Sequence, residues 1–157
     1  MLSSQDGYGS FETLRVDQEG GVSAIAINAP PMNLLGVELV RDLVSLIQRA
    51  EADETVRVLA FRSDDPDYFI AHVDITQVSQ YRAQAARLTG EASIASLFRH
   101  LSASHLLSVA QIEGRVRAAG NEFALSCDMR FAARDRALFA QFEAASGQLA
   151  GVGACHD

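Results

Sequence analysis

Apolar residues along this chain follow two periods, one that suits strands and one that suits helices. Leu14 to Val16 and Val22 to Asn28 are short runs with β-branched residues on either side of Gln18-Glu19-Gly20-Gly21, a turn signal, and together they predict a hairpin. Asn28-Ala29-Pro30-Pro31 stops the second strand. Val37, Val40, Val44 and Ile47, widened by Leu39, Leu43 and Leu46, recur at helical spacing and predict a helix from about Gly36 to Glu51. Val56 to Phe61, after Asp53-Glu54-Thr55, has the valine-rich pattern of a strand buried on both faces. Ser63 to Asp67 is a loop by composition, and a second apolar segment runs from Tyr68 to Ile75. From about Tyr81 to Leu107 the pattern is helical with an interruption at Thr89-Gly90. Ile94, Leu97, Phe98 and Leu101 line one face of the second piece, so this is two helices or one with a break. Val109 to Ile112 reads as a strand, Gly114 to Arg117 as a loop, Ala118 to Cys127 as a helix and Met129 to Ala133 as a strand.

Strands alternating with helices predict an α/β fold, although two strands at the start and the tight strand, turn, helix, strand succession depart from a simple doubly wound sheet. No internal repeat is present. The 157 residues suit one domain, with a frayed start over residues 1–10 and a single unit over 11–157. The composition, 48% hydrophobic and 21% charged with a mean hydropathy of +0.07, is that of a globular chain.

Charge narrows the partners. With 13 basic against 20 acidic residues the net charge is -7, which argues against binding to phosphate backbones; nucleic acid is not an expected partner. No apolar run is long enough to cross a bilayer, and MLSSQDGYGS lacks the regions of a signal peptide, so no membrane partner and a cytoplasmic location are expected. Cys127 and Cys155 make no disulfide framework. Cys155-His156-Asp157, contiguous at a terminus, has neither metal-ligand spacing nor a fixed geometry, and no metal site is expected.

The candidate chemistry centres on AAGNE, residues 118–122, where small residues precede an acid at the start of an apolar helix. Small residues let backbone amides approach a ligand, and a helix N-terminus favours negative charge there. Read alone, Glu122 is either an acid complementing the helix dipole or a site carboxylate. Arg115 and Arg117 are either solvated or placed for phosphates. Ser126 with His100 or His105 could form a hydrolase pair, but no nucleophile-elbow pattern surrounds Ser126 and the helical pattern buries it.

Three segments in order resemble the crotonase superfamily of enoyl-CoA hydratases and isomerases, from about Leu14 to Gly153. NAPPMNLLGVELVRDLVSLIQRAEADETVRVLAFRS looks like the family's Asn-Pro opening, long helix and second strand. FIAHVDI, residues 69–75, is similar to the family's FxAGAD[IL]. The segment from Ala110 to Gly153 is similar to its NGxxxGGGxELALACDxRxAxxxAxFxxPExxxGxxPGxG. The resemblance implies a crotonase-like ββα spiral core, here lacking the C-terminal helical part. A patch of uncovered apolar surface and self-association would follow, as a trimer or a multiple of it.

For function, the resemblance implies an acyl-CoA enzyme, most simply a hydratase that adds water to a 2-enoyl-CoA thioester. A double-bond isomerase, or a noncatalytic acyl-CoA-binding or subunit-interaction module, are the alternatives. No cofactor is implied beyond coenzyme A as part of the substrate. Carried over by position, the oxyanion hole is the amides of Val73 and Ala119, and the acids sharing one water are Glu122 and Glu143. Ala71, His72, Asp74, Ile75 and Gly120 line the substrate. The chain departs from the pattern at several points. His72, Ala118 and Ala119 stand where the family has glycine, and Phe142 replaces the proline before Glu143. Alanine can serve at 118 if its φ is negative. His72 is an added acid or base or a polar filler, and Asp74 is a site residue or the cap of the following turn.

Overall fold

A computed structural model describes residues 10–141 and residue 143. The expected frayed start, apart from Ser10, lies outside the described residues, as do Ala150 to Gly153 and Cys155-His156-Asp157. In chain order the elements are β1 (Leu14–Glu19), β2 (Val22–Ile27), α1 (Val37–Ala52), β3 (Val58–Ser63), β4 (Tyr68–Ile70) and α2 (Val78–Thr89). They continue with α3 (Ile94–Ala103), β5 (Leu107–Ile112), β6 (Arg115–Arg117), α4 (Ala119–Ser126), β7 (Met129–Ala132) and β8 (Leu138–Ala140).

A five-stranded sheet has the order β1-β2-β3-β5-β7 and a three-stranded sheet the order β4-β6-β8. The expected hairpin joins β1 and β2 antiparallel, with Leu14 opposite Ile27 and Glu19 opposite Val22. Its turn uses Gly20 and Gly21 at φ of 59° and 82°, the paired positive angles that a two-residue hairpin demands. The remaining pairings are parallel. After β2 the chain repeats one unit, a strand in the large sheet followed by a strand in the small one: β3 to β4, β5 to β6, β7 to β8. This is the α/β strand-strand-helix spiral expected from the sequence.

Two local readings are corrected. Residues 115–117, expected as loop, are the central strand of the small sheet, held by β4 on one side and β8 on the other. The apolar segment from Tyr68 to Ile75 is strand only as far as Ile70. Three-residue strands are too short to show an alternation, so only their partners define them.

The core forms where the apolar face of α1 (Leu39, Val40, Leu43, Leu46, Ile47) meets the sheets and the second helical pair. Phe123 of α4 sits at its centre, with ring centroids 5.1 Å from Phe61, 5.6 Å from Phe98 and 6.3 Å from Phe69. Edge-to-face packing of this kind contributes about 0.5–1.5 kcal/mol per pair beyond burial. Buried Asp42 ties the N-terminal segment to α1, accepting from Glu12 N at 2.8 Å, Thr13 N at 2.7 Å and Thr13 Oγ1 at 2.9 Å. Between α4 and β7, the Asp128 carboxylate accepts from Ser108 N and Ser108 Oγ, each at 2.7 Å, and Ser108 Oγ accepts from Asp128 N. The backbone bond from Ser108 is the first cause holding the Asp128 carboxyl below its usual range. No helix among the described residues is long and apolar enough to cross a membrane.

The join between β6 and α4 takes one residue. Ala118 turns the chain at φ 48° and ψ -127°, so the condition under which an alanine would serve here, a negative φ, is not met. An L-residue in this region is strained by about 1–3 kcal/mol. Two residues on, a Cβ added to Gly120 would lie 2.2 Å from the Ile70 carbonyl oxygen, which is backbone and cannot step aside. Close approach, not conformational freedom, demands glycine there.

Three substitutions test these points. Ala118→Gly should stabilise the protein by about 1 kcal/mol, strain relief exceeding the added unfolded-state entropy, as an upward shift in urea midpoint. Gly120→Ala should destabilise it by on the order of 3 kcal/mol through overpacking. Asp128 has a depressed folded-state pKa, so its contribution is present above the ordinary carboxylate value and lost as pH falls through the folded one. Asp128→Asn should therefore flatten stability against pH below about pH 4, read by denaturation at a series of acid pH values.

Candidate active site

The loop after β4 is fixed before any ligand arrives. Asn33, at φ 52° in a region asparagine tolerates, accepts from Ala29 N at 2.7 Å and donates to Ser63 Oγ at 2.7 Å and Phe69 O at 3.0 Å. One side chain thus joins the turn after β2 to the ends of β3 and β4. Beyond it, Ala71 N donates to Met32 O, Leu35 N to His72 O at 2.9 Å and Asp74 N to Leu35 O at 3.1 Å. Leu35 and Val73 form a short parallel bridge. Among the described residues, nothing accepts a hydrogen bond from the Val73 amide.

The second amide lies at the start of α4. Ala118 N donates to Ala140 O at 2.9 Å, and Glu122 N to Ala118 O at 3.0 Å, so the helix begins under the small sheet. No side chain caps this terminus, and the Ala119 amide meets no acceptor among the described residues. Uncapped first-turn amides carry the positive end of the helix dipole and suit an anion. Because Gly120 rests on the Ile70 carbonyl, the Ala119 end of α4 adjoins the strand that leads into Ala71, His72 and Val73.

Between these, the structure brings the two expected carboxylates onto one group. Glu122 is 1% exposed. Gln141 Nε2 donates to Glu122 Oε1 at 3.0 Å and to Glu143 Oε2 at 2.9 Å, while Gln141 Oε1 accepts from Asn121 Nδ2 at 2.9 Å. The fork of an amide NH₂ sets the two carboxylate oxygens roughly 5 Å apart, a span that one water can bridge.

The other sequence candidates separate. Ala71 is buried at the mouth of the loop, and Gly120 is the contact already described. Asp74 caps its turn: Oδ1 accepts from Thr76 N at 2.9 Å and Thr76 Oγ1 at 2.6 Å, and these bonds, the side-chain one first, hold its carboxyl below the usual range. Ile75 is 75% exposed and lies outside the cluster. Arg115 stacks on Tyr68 with its guanidinium carbon 5.4 Å from the ring centre, whereas half-buried Arg117 makes no ion pair among the described residues. Ser126 is only half-buried and donates to Phe123 O, and His100 faces Glu51 at 3.0 Å, so no serine-histidine pair forms. Burial pushes the Cys127 thiol up to about 12, which leaves it unreactive at neutral pH. Gln141, Asn33 and Leu35 were not singled out from the sequence. Gln141 stands two residues before Glu143 in AQFE, and Asn33 closes the Pro-Pro turn, and these positions were the available signals.

Comparison with known proteins is consistent across sequence and fold. The sequence model of the enoyl-CoA hydratase/isomerase family matches residues 17–156. Human mitochondrial enoyl-CoA delta isomerase 1 is 32% identical over 132 residues, covering 82% of this chain and 43% of the relative. Crotonyl-CoA hydratase of Syntrophomonas wolfei is 27% identical over 145 residues, covering 92% of this chain and 55% of the relative. A solved Streptomyces avermitilis protein assigned as an enoyl-CoA hydratase aligns with a TM-score of 0.83 at 46% identity, over 88% of this chain and 51% of that one. The chain spans about half the length of these relatives. On the family match and the shared spiral fold, this chain belongs to the enoyl-CoA hydratase/isomerase family, within the crotonase superfamily.

Proposed function

We propose that the chain carries the catalytic core of an enoyl-CoA hydratase. The observation that supports this best is the Gln141 amide shared by Glu122 and Glu143, which gathers two carboxylates at the spacing of a bridging water. Hydration needs that pair. One group, as the carboxylate, takes a proton from water as the water oxygen bonds to C3 of the enoyl chain; the other, as the protonated acid, delivers its proton to C2; passage of the proton from the first to the second restores both, so that only the elements of water are added. The thioester oxygen gathers charge meanwhile, and the Val73 and Ala119 amides are the donors for it. Coenzyme A enters only as part of the substrate, and Arg117 is available to its phosphates.

A second reading within the family is double-bond isomerisation. The likeness to human enoyl-CoA delta isomerase 1 favours it, since the same hole would stabilise the same enolate. Isomerisation moves a proton between C2 and C4 and does not require a second acid on a water, so the paired glutamates favour hydration.

We also propose that the chain self-associates, as a trimer or a multiple of one. Phe131 of β7 is 57% exposed and Leu138 and Phe139 of β8 are 59% and 49% exposed, large apolar residues that an interface would cover.

With crotonyl-CoA, the wild type should remove enoyl absorbance, and Glu122→Gln and Glu143→Gln should each lower kcat about 100-fold to 10,000-fold with little change in KM. Conversion of a 3-enoyl-CoA without hydration would favour the isomerase instead. Tight thioester binding with no turnover, indifferent to Glu122→Gln, would mark a binding module. Light scattering should give a mass that is a multiple of the 16.9 kDa chain, lowered by Phe131→Asp.

A further inference from the structure

Two peptide units flank the Val73 α-carbon, and their four polar groups can be traced one by one. In the His72-Val73 unit the carbonyl accepts from Leu35 N at 2.9 Å. In the Val73-Asp74 unit the N-H donates to Leu35 O at 3.1 Å. The carbonyl of that second unit is bonded by the His72 ring, Nδ1 to Val73 O at 2.6 Å. The fourth group is the Val73 N-H, which meets no acceptor among the described residues. Backbone groups kept from water are normally paired, so three engaged groups hold the fourth in one direction.

The imidazole bond is one that a glycine, the residue of the family pattern at this position, has no atoms to make. A carbonyl only accepts, so Nδ1 carries the hydrogen, and in the neutral ring Nε2 is left with the lone pair. His72 is half-buried, and the ring is partly withheld from competing water. Asp74, its neighbour, is turned to Thr76 and does not compete for this bond.

We propose that His72 is a positioning residue for the oxyanion hole: by bracing the Val73 carbonyl it fixes the second of the two peptide planes that meet at the Val73 α-carbon, and so steadies the first plane, held through His72 O by Leu35 N, whose Val73 amide a thioester oxygen requires. The inference rests on the acyl-thioester reading above. Without the ring, the Val73-Asp74 plane keeps one of its two anchors, Leu35 O, and its swing displaces the α-carbon on which the plane carrying the Val73 amide is hinged. A donor that must reorient during reaction loses the benefit of having been placed in advance. His72 thus supplies from a side chain a restraint that the backbone alone lacks here.

The test compares His72→Phe, which keeps a ring but no donor, with His72→Asn, whose Nδ2 stands the same number of bonds from the backbone as Nδ1. Butyryl-CoA, a saturated thioester, serves as probe, its affinity read by calorimetry and its carbonyl stretch by infrared difference spectroscopy. The wild type should bind it with the stretch moved to lower frequency. His72→Phe should bind within about threefold yet lose most of that shift, with kcat on crotonyl-CoA down about tenfold and KM unchanged, and His72→Asn should restore both. If both variants match the wild type, or both lose the shift equally, the positioning role is overturned while the thioester reading stands. If the wild type binds no thioester, that reading falls and takes the positioning role with it.

Discussion

The seat of Gly120 on the Ile70 carbonyl decides where everything else in the site can lie. A methyl group there would come within 2.2 Å of a backbone oxygen, so only a residue without a side chain lets the first turn of α4 rest on the end of β4. One step back along the helix is the Ala119 amide, and one step forward along the strand begins the loop that carries Val73. Two segments far apart in sequence, the end of β4 and the start of α4, meet through this contact. Phe123, packed among Phe61, Phe69 and Phe98, keeps the helix from sliding off it.

Around that contact the chain gives up local stability. Ala118 holds a backbone conformation that costs an alanine about 1–3 kcal/mol. Glu122 is buried to 1% exposure in a helix whose next residue is the centre of the aromatic core. The terminus of α4 has no side-chain cap. None of these is confined to this place, since α1, α2 and α3 also lack a side-chain cap, Asn33 also has a positive φ and Asp42 is also buried, but here all three fall within five residues of one another. Such clustering is expected where geometry serves a ligand rather than the folded state. The cost is offset by the surrounding polar ties, Gln141 on the acids, Asn121 on Gln141 and Asn33 behind the loop.

These features also explain what could be read in the sequence. The β1-β2 hairpin, α1 and α3 were legible because each is long enough for its period to show and has its own turn or break signal. The break at Thr89-Gly90 separates α2 from α3 as the pattern predicts. The strands β6 and β8, three residues each, carry no period and exist through pairing with distant partners. Of the two candidate acids, Glu122 is marked by the small residues before it in AAGNE, whereas Glu143 is pointed to only by the motif. Gln141, which joins them, reaches 19 residues back to Glu122, a relation that no local pattern encodes. The positive φ at Ala118 was hidden for a similar reason: the residue type permits a negative angle, and the junction of β6 with α4 overrides it.

The departures from the family pattern fall unevenly on the two halves of the site. An oxyanion hole made of backbone N-H groups depends on where the chain runs, so in the proposed site valine at 73 and alanine at 119 would leave the donors in place provided the sheets and α4 keep their contacts. The acids depend on side chains, and there the chain keeps both glutamates together with the amide that joins them. A fold of this kind fixes the stabilisation of an enolate first and leaves the choice of reaction to the few side chains around it. In this chain those side chains are two carboxylates on one amide. His72, where the family pattern has glycine, bonds the Val73 carbonyl and not the acids, so under the proposed reading the hole and the acids would vary separately.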